Sequence, residues 1–346
     1  MQRRNVLMIY TGGTIGMVQN HETGAYHPFD FRHIEEQIPD LRMIEANIDT
    51  YAFEHPIDSS NVDHTVWARL VDIIQTHYDD YDGFVILHGS DTMAYTASAL
   101  SFMLENLKKP VVFTGSQLPI GIIRTDGKEN LITAIEIAAS YRNDEAVVPE
   151  VCVYFEYKLY RGNRTHKYNA EQFKAFRSSN YPLLAEAGVR VRFNRPAIRL
   201  PEIGPTVFHR EMDNRVMVLR LFPGISETTV KHQLDTPGLR AVVLSTYGSG
   251  NAPSAPWFIE SLREAIANGL IVLNVTQCGE GFVQQGRYET SSGLASAGVI
   301  GGADITTEAA ITKLMFLLAH VDDDIRLKKL LVQSLRGEMT DDSENE

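Results

Sequence analysis

Short, nearly uninterrupted apolar runs alternate along this chain with amphipathic stretches, and this alternation constrains the fold more than any other feature. NVLMIY (5–10), GFVILHG (83–89), PVVFTG (110–115) and EVCVYF (150–155) read as strands. Val62, Val66, Leu70, Ile73, Ile74 and Tyr78 form one helical stripe, Met93, Ala97, Leu100, Leu104 and Leu107 a second, and residues 129–140 a third. Strands that are apolar on both faces and separated by helices belong in a parallel sheet covered on both sides, which makes the class α/β. The rhythm breaks where Pro196, Pro201 and Pro205 stand among mixed charges. It then resumes with strands at 215–221, 240–248 and 270–278 and helices near 226–234, 254–268, 307–320 and 324–335, the last expected to end at a C-cap on Gly337. The expected organisation is a domain at 1–190, a linker or arm at 191–214, a second α/β domain at 215–338, and a disordered acidic tail at 339–346.

A length of 346 residues suits two domains, and 44% hydrophobic with 22% charged residues is the composition of a soluble globular protein. A net charge of −12 repels phosphate backbones, so no nucleic-acid partner is expected; the basic cluster Arg161, Arg164 and Lys167 has no aromatic stacking platform beside it. The two cysteines, Cys152 and Cys278, are too few for a disulfide framework and fit a reducing compartment. The N-terminus lacks the apolar core of a signal peptide, and no run approaches the roughly 20 apolar residues of a membrane span. The expected location is therefore cytoplasmic, without a membrane partner.

The first strand runs directly into Gly12-Gly13-Thr14-Ile15-Gly16. This is not the G-x-G-x-x-G of a dinucleotide site, and the polar residues after Gly16 show no helical stripe for a phosphate to sit on. Two readings stay open: a tight turn, or a hydroxyl on Thr14 presented at the carboxyl end of a strand, where ligands of open α/β sheets bind. In the second reading residues 17–30, with Tyr26, form a mobile lid. HGSDTM places Ser90, Asp91 and Thr92 where another strand meets a helix. A helix needs one such cap, so a capping turn and a hydroxyl–carboxylate pair able to grip an ammonium are both possible. Lys167 lies in the irregular stretch RGNRTHKYN, either as a solvated basic residue or as a lysine able to deprotonate a hydroxyl. Ser59 and Ser60 precede a helix and could cap it or bind a carboxylate. No G-x-S-x-G elbow, H-E-x-x-H or other metal-ligand spacing occurs.

Taken together, YTGGTIGM and DGFVILHGSDTMAYTASALSFMLENL, followed by VVFTGSQLPI, RTDGKENL, LYRGNRTHK, YGSGNAP, TQC and AGVIGGADIT, resemble the bacterial asparaginase family, specifically its cytoplasmic type I branch, over residues 3–338. The resemblance implies a larger N-terminal α/β domain with a mostly parallel sheet and a smaller C-terminal one. It also implies cofactor-free hydrolysis of L-asparagine, and a homodimer or a tetramer made of two dimers. Carried over by motif, Thr14 is the nucleophile and Tyr26 the lid tyrosine that helps activate it. Ser90, Asp91 and Lys167 form the second catalytic group, with Asp91 also binding the substrate ammonium. Ser59 and Ser60 lie near the α-carboxylate. Backbone groups at Gly13 and Gly89 face the substrate, and Asn251 approaches from across the dimer. A small amide such as glutamine, or a non-catalytic asparagine sensor, are the alternatives. The family usually reads HGTDTM; Ser90 keeps the hydroxyl but loses a methyl, so a less rigid rotamer is expected. Ser245 stands where an arginine is common near the family's allosteric site, which argues against allosteric activation.

Overall fold

The computed structural model describes residues 3–19, 26–28, 38–285 and 289–340. The chain divides into two compact units, residues 1–210 and 211–346. Residues 341–346, most of the expected tail, lie outside the described residues. Met339 and Thr340 do not behave as tail: Met339 is buried, and Thr340 donates its N–H and hydroxyl to Asp304 at 2.8 and 2.7 Å.

The first unit is built on an eight-stranded sheet of β1 (Arg4–Tyr10), β2 (Ala46–Ala52), β3 (Gly83–Leu87), β4 (Val111–Thr114), β5 (Val151–Phe155), β6 (Lys158–Arg161), β7 (Ala185–Ala187) and β8 (Val191–Phe193), in the order β8-β7-β6-β5-β4-β3-β1-β2. The strands β2-β1-β3-β4-β5 are parallel; β6, β7 and β8 continue antiparallel. The helices are α1 (His64–Thr76), α2 (Met93–Met103) and α3 (Gly127–Ala138). One sheet face, with Val6, Met8, Val85, Leu87, Val112 and Tyr154, packs under Leu131, Ala134 and Ile135 of α3. On the other, α2 lies on β5 and packs against α1. Both faces are thus covered, as continuous apolar strands require.

Strands β6 and β7 were not among the expected elements, and three further places differ from the sequence reading. Strand β2 was not expected. Its residues ANIDTYA alternate between the core and solvent because it is an edge strand with only one neighbour. The stripe continuing to Leu107 overstates α2, which stops at Met103 because Leu104–Glu105 pairs instead with Val207–Phe208. Residues 191–193, expected to open the arm, form the outer strand β8, and the turn at 195–197 is clamped to the sheet. Arg161, buried against Glu150 (Nε–Oε2 2.6 Å), donates to the Ala197 carbonyl at 3.0 Å, as does Tyr181.

The second unit carries a parallel sheet of β9 (Val216–Arg220), β10 (Ala241–Thr246), β11 (Ile271–Thr276) and β12 (Ile300–Gly301), in that order. The helices α4 (Glu227–Leu234), α5 (Pro256–Ala267) and α6 (Glu289–Ala297) bury Val230, Phe258 and Leu294 with Val242, Leu244 and Val272. Helix α7 (Thr307–His320) packs on β9, β10 and β11. The last helix, α8 (Asp324–Leu331), ends before the expected C-cap at Gly337. The residues after it fold back around Glu338, which accepts the N–H groups of Leu335 and Arg336 and pairs with the fully buried Lys313 at 2.7 Å. Gly337, at φ +75°, serves that turn.

Candidate active site

The order β2-β1-β3 fixes where a site can form. The chain leaves β1 to build β2 on one side and then β3 on the other, so the loops after β1 and β3 diverge at their carboxyl ends. Such a reversal is where open α/β sheets leave a ligand-sized crevice. Thr14 follows β1, Ser59 and Ser60 follow β2, and Ser90 and Asp91 follow β3.

Backbone bonds tie these loops together. Thr11 donates its N–H and its hydroxyl to the Leu87 carbonyl, at 3.0 and 2.9 Å, and Ile57 donates to Thr11 at 2.7 Å. Closer in, contact is possible only without side chains. A methyl on Gly13, which holds φ +89°, would lie 2.7 Å from Gly89 Cα and N, and one on Gly89 would lie 2.5 Å from Ser59 Oγ. Real Cβ atoms do not approach so near, so Gly13, Gly89 and Ser59 bring three strand-end loops into mutual contact. Thr14, half-buried, heads the 3-10 turn Thr14–Gly16 beside this contact, and Ile120 donates to the Ile15 carbonyl at 3.3 Å.

Ser59 is buried and Ser60 exposed in a 3-10 turn capped by Asp58. The Ser60 N–H and hydroxyl, at 2.9 and 2.8 Å, hold the Asp58 carboxyl below the usual range. The sequence left open whether Ser90, Asp91 and Thr92 cap the following helix. None does, because α2 has no side-chain cap. Thr92 turns to the Ser59 carbonyl at 2.6 Å. Lys167 Nζ donates to Ser90 Oγ at 2.9 Å and to Asp91 Oδ1, with which it forms an ion pair. The lysine side chain is only 14% exposed while that of Asp91 is 68% exposed, so the pair opens to solvent on its anionic side. Lys167 reaches this point because the chain turns at Gly162–Arg164 after β6 and pairs Lys167 with Phe176.

Two polar residues of the site were missed in the sequence. Gln117, after β4, accepts from the Ser90 hydroxyl at 3.3 Å. His88, wholly buried, sits at the end of β3 with Nδ1 2.7 Å from the Gly89 carbonyl and Nε2 3.0 Å from Thr96 Oγ1. A carbonyl only accepts, so Nδ1 carries the proton and Nε2 takes the Thr96 hydroxyl, which in turn accepts from Trp67 Nε1 at 3.1 Å. Burial lowers the His88 pKa to about 4, which keeps this chain neutral. The signal that could have found both is the one that found Ser90: a polar residue at the carboxyl end of a central strand.

Of the other expected residues, Tyr26 enters a backbone ribbon pairing Met17–Gln19 with Tyr26–Pro28, while its side chain and most of the expected lid lie outside the described residues. Asn251 belongs to the second unit, where its N–H and carbonyl bond Tyr247 at 2.8 and 2.9 Å. Among the described residues no cluster of three or more His, Cys, Asp or Glu could hold a metal, and no helix is long and apolar enough to cross a membrane.

Residues 5–199 match the family described as "Asparaginase, N-terminal", and residues 215–331 that described as "Glutaminase/Asparaginase C-terminal domain". L-asparaginase 1 of Escherichia coli K12 is 45% identical over 99% of this chain and 100% of its own length. The 60 kDa lysophospholipase of Mus musculus is 41% identical over 97% of this chain and 63% of its own. The crystal structure of L-asparaginase I from Vibrio cholerae O1 superposes with a TM-score of 0.89 at 40% identity, covering 98% of this chain and 99% of that one. With both of its units matched and its length covered end to end, the chain belongs to the asparaginase family.

Proposed function

We propose that this protein hydrolyses L-asparagine to L-aspartate and ammonia, with Thr14 as the nucleophile. The observation that carries the reading is the convergence of Lys167, Ser90 and Asp91 at the end of β3, where the Gly13–Gly89 contact holds the Thr14 loop against them. Thr14 Oγ attacks the side-chain amide carbon and forms a C–O bond. Backbone N–H groups of the Gly13 and Gly89–Ser90 turns stabilise the oxyanion. The Ser90 oxygen, to which Lys167 donates, takes the threonine proton and hands it to the leaving nitrogen, the C–N bond breaks, and ammonia departs from an aspartyl–Thr14 ester. Water then cleaves the ester and restores the hydroxyl. Asp91, open to solvent, receives the substrate ammonium, and the Ser59–Ser60 turn receives the α-carboxylate. Fixing both α-groups brings the amide into attack geometry. Tyr26 from the lid and Asn251 from a second subunit of a homodimer or dimer-of-dimers complete the site, in the cytoplasm. With Ser245 in place of a cation, the rate follows asparagine concentration hyperbolically.

The test is ammonia release from asparagine by wild type and Thr14→Ala, with circular dichroism as the fold control. Full activity in the variant rejects Thr14; asparagine binding without ammonia from wild type makes the protein a sensor. The matched family includes glutaminases by description, and one methylene changes pocket fit by only about 1–3 kcal/mol. Glutamine is therefore the second substrate reading, decided by the ratio of the two kcat/KM values.

A further inference from the structure

We propose that Gln117 is a positioning residue that holds the Ser90 side chain in the one rotamer that faces Lys167. Its carboxamide is a fork with each tine assigned by its neighbours. Nε2 donates to the carbonyls of Ala170 and Gln172, at 3.3 and 3.0 Å. Carbonyl oxygens accept only, so the amide nitrogen faces them and Oε1 faces Ser90. Oε1 in turn only accepts, which commits the Ser90 hydroxyl hydrogen to Gln117 and leaves the oxygen lone pairs toward Lys167 Nζ.

The base of the fork is fixed as well. The N–H of Gln117 donates to both Asp126 oxygens at 3.1 and 2.9 Å, and that of Leu118 to Asp126 Oδ1 at 3.1 Å. Asn130 ties the same carboxylate to the Gly115 carbonyl with bonds of 3.3 and 3.0 Å. Serine has no γ-methyl, so sterics leave its χ1 wells open and hydrogen bonds must choose among them. Gln117 makes that choice and links Ser90 to the loop that follows Lys167. The looser rotamer expected from a serine at this position is corrected by a hydrogen bond rather than by a methyl group.

This inference rests on Ser90 acting in the proposed reaction. The experiment compares Gln117→Met, similar in length but without the fork, in two backgrounds: Ser90 and Ser90→Thr. In the Ser90 background kcat falls about tenfold, the effect of one lost hydrogen bond, with a smaller change in KM. In the Ser90→Thr background the γ-methyl restricts χ1 by itself, so the same substitution costs much less. Equal losses in the two backgrounds would mean that Gln117 only braces residues 170–172, and no loss in either would mean that it does nothing; both overturn the proposal. A crystal structure of Gln117→Met supplies a readout independent of turnover. Ser90 in more than one rotamer supports the assignment, and a single unchanged rotamer refutes it. That readout decides the matter even if wild-type protein releases no ammonia, a result that would count against the asparaginase reading alone.

Discussion

Replacing Gly13 by alanine tests whether the glycines of the first loop exist for clearance. Two costs follow from the geometry. At φ +89° an L side chain is strained by about 1–3 kcal/mol. Its Cβ would also sit 2.7 Å from the backbone of Gly89, and forcing a methyl into so tight a contact costs about 1–3 kcal/mol more. Neither neighbour is the flexible end of a side chain, so relief requires the loops after β1 and β3 to move apart. A total near 2–6 kcal/mol corresponds to a drop in Tm of at least about 4 °C for a unit of this size. A displacement of about 1 Å between Thr14 and Ser90 costs on the order of a hundredfold in turnover. Differential scanning fluorimetry and ammonia release measure the two effects on one sample. The control is Gly188→Ala, where a methyl meets nothing within 4 Å; it leaves Tm and rate near wild type. A Gly13→Ala protein with wild-type Tm and full activity would refute the clearance argument.

Lys167→Met lowers turnover by orders of magnitude while Tm shifts little, because the Asp91 it leaves behind is already solvated; an unchanged rate would reduce Lys167 to a structural lysine. Lys313→Met strands a wholly buried Glu338 and costs about 3–5 kcal/mol by urea denaturation, most of it recovered when Glu338→Leu is added; a neutral single variant would contradict the pairing. Burial pushes the Glu338 carboxyl up, but the Lys313 charge and the Leu335 and Arg336 N–H groups hold it below its usual range. Its contribution is thus complete above the ordinary glutamate pKa of about 4.3 and is lost as pH falls through the lowered folded value. His88 works at a higher pH. With its folded pKa near 4 against about 6.5 unfolded, the unfolded state takes the proton first, so stability declines from pH 6.5 toward pH 4 and levels off below. The decline is roughly 3 kcal/mol, and urea midpoints across this window should be flatter in His88→Gln; identical slopes would show that His88 is not the titrating group.

The central strands were legible because β1, β3, β4 and β5 are buried on both faces and leave no alternation to misread. What escaped was edge and return structure. Strand β2 alternates polar and apolar residues, and β7 and β8 are three residues each, shorter than any periodic signal. The turn at 195–197 looked like linker because Arg161, which donates to the Ala197 carbonyl, stands more than thirty residues away and no local pattern announces it. The site was legible as a set of strand-end motifs, but not as a place. No periodicity says that β2 lies on the far side of β1 from β3, and that order is what puts the topological switch point at the Thr14 loop. Gln117 and His88 were missed because their contacts run between loops and strands distant in sequence.

Two helix starts separate function from structure here. Ser90, Asp91 and Thr92 are all strong N-cap residues, and so is Asp126, at the N-cap of α3. Yet neither Thr92 nor Asp126 caps its own helix, although such a cap is worth about 1 kcal/mol; the first N–H of α3, that of Gly127, goes to Thr125 Oγ1 instead at 2.9 Å. The side chains go elsewhere: Ser90 and Asp91 to Lys167, Thr92 to Ser59, and Asp126 to the N–H groups of Gln117 and Leu118. By contrast, α1, which begins just after the Ser59–Asn61 turn, is capped in the ordinary way by Asp63, which accepts from Thr65 and Val66. At α2 and α3 these side chains fix neighbouring loops instead of capping the helix, the kind of support that a precisely held site requires.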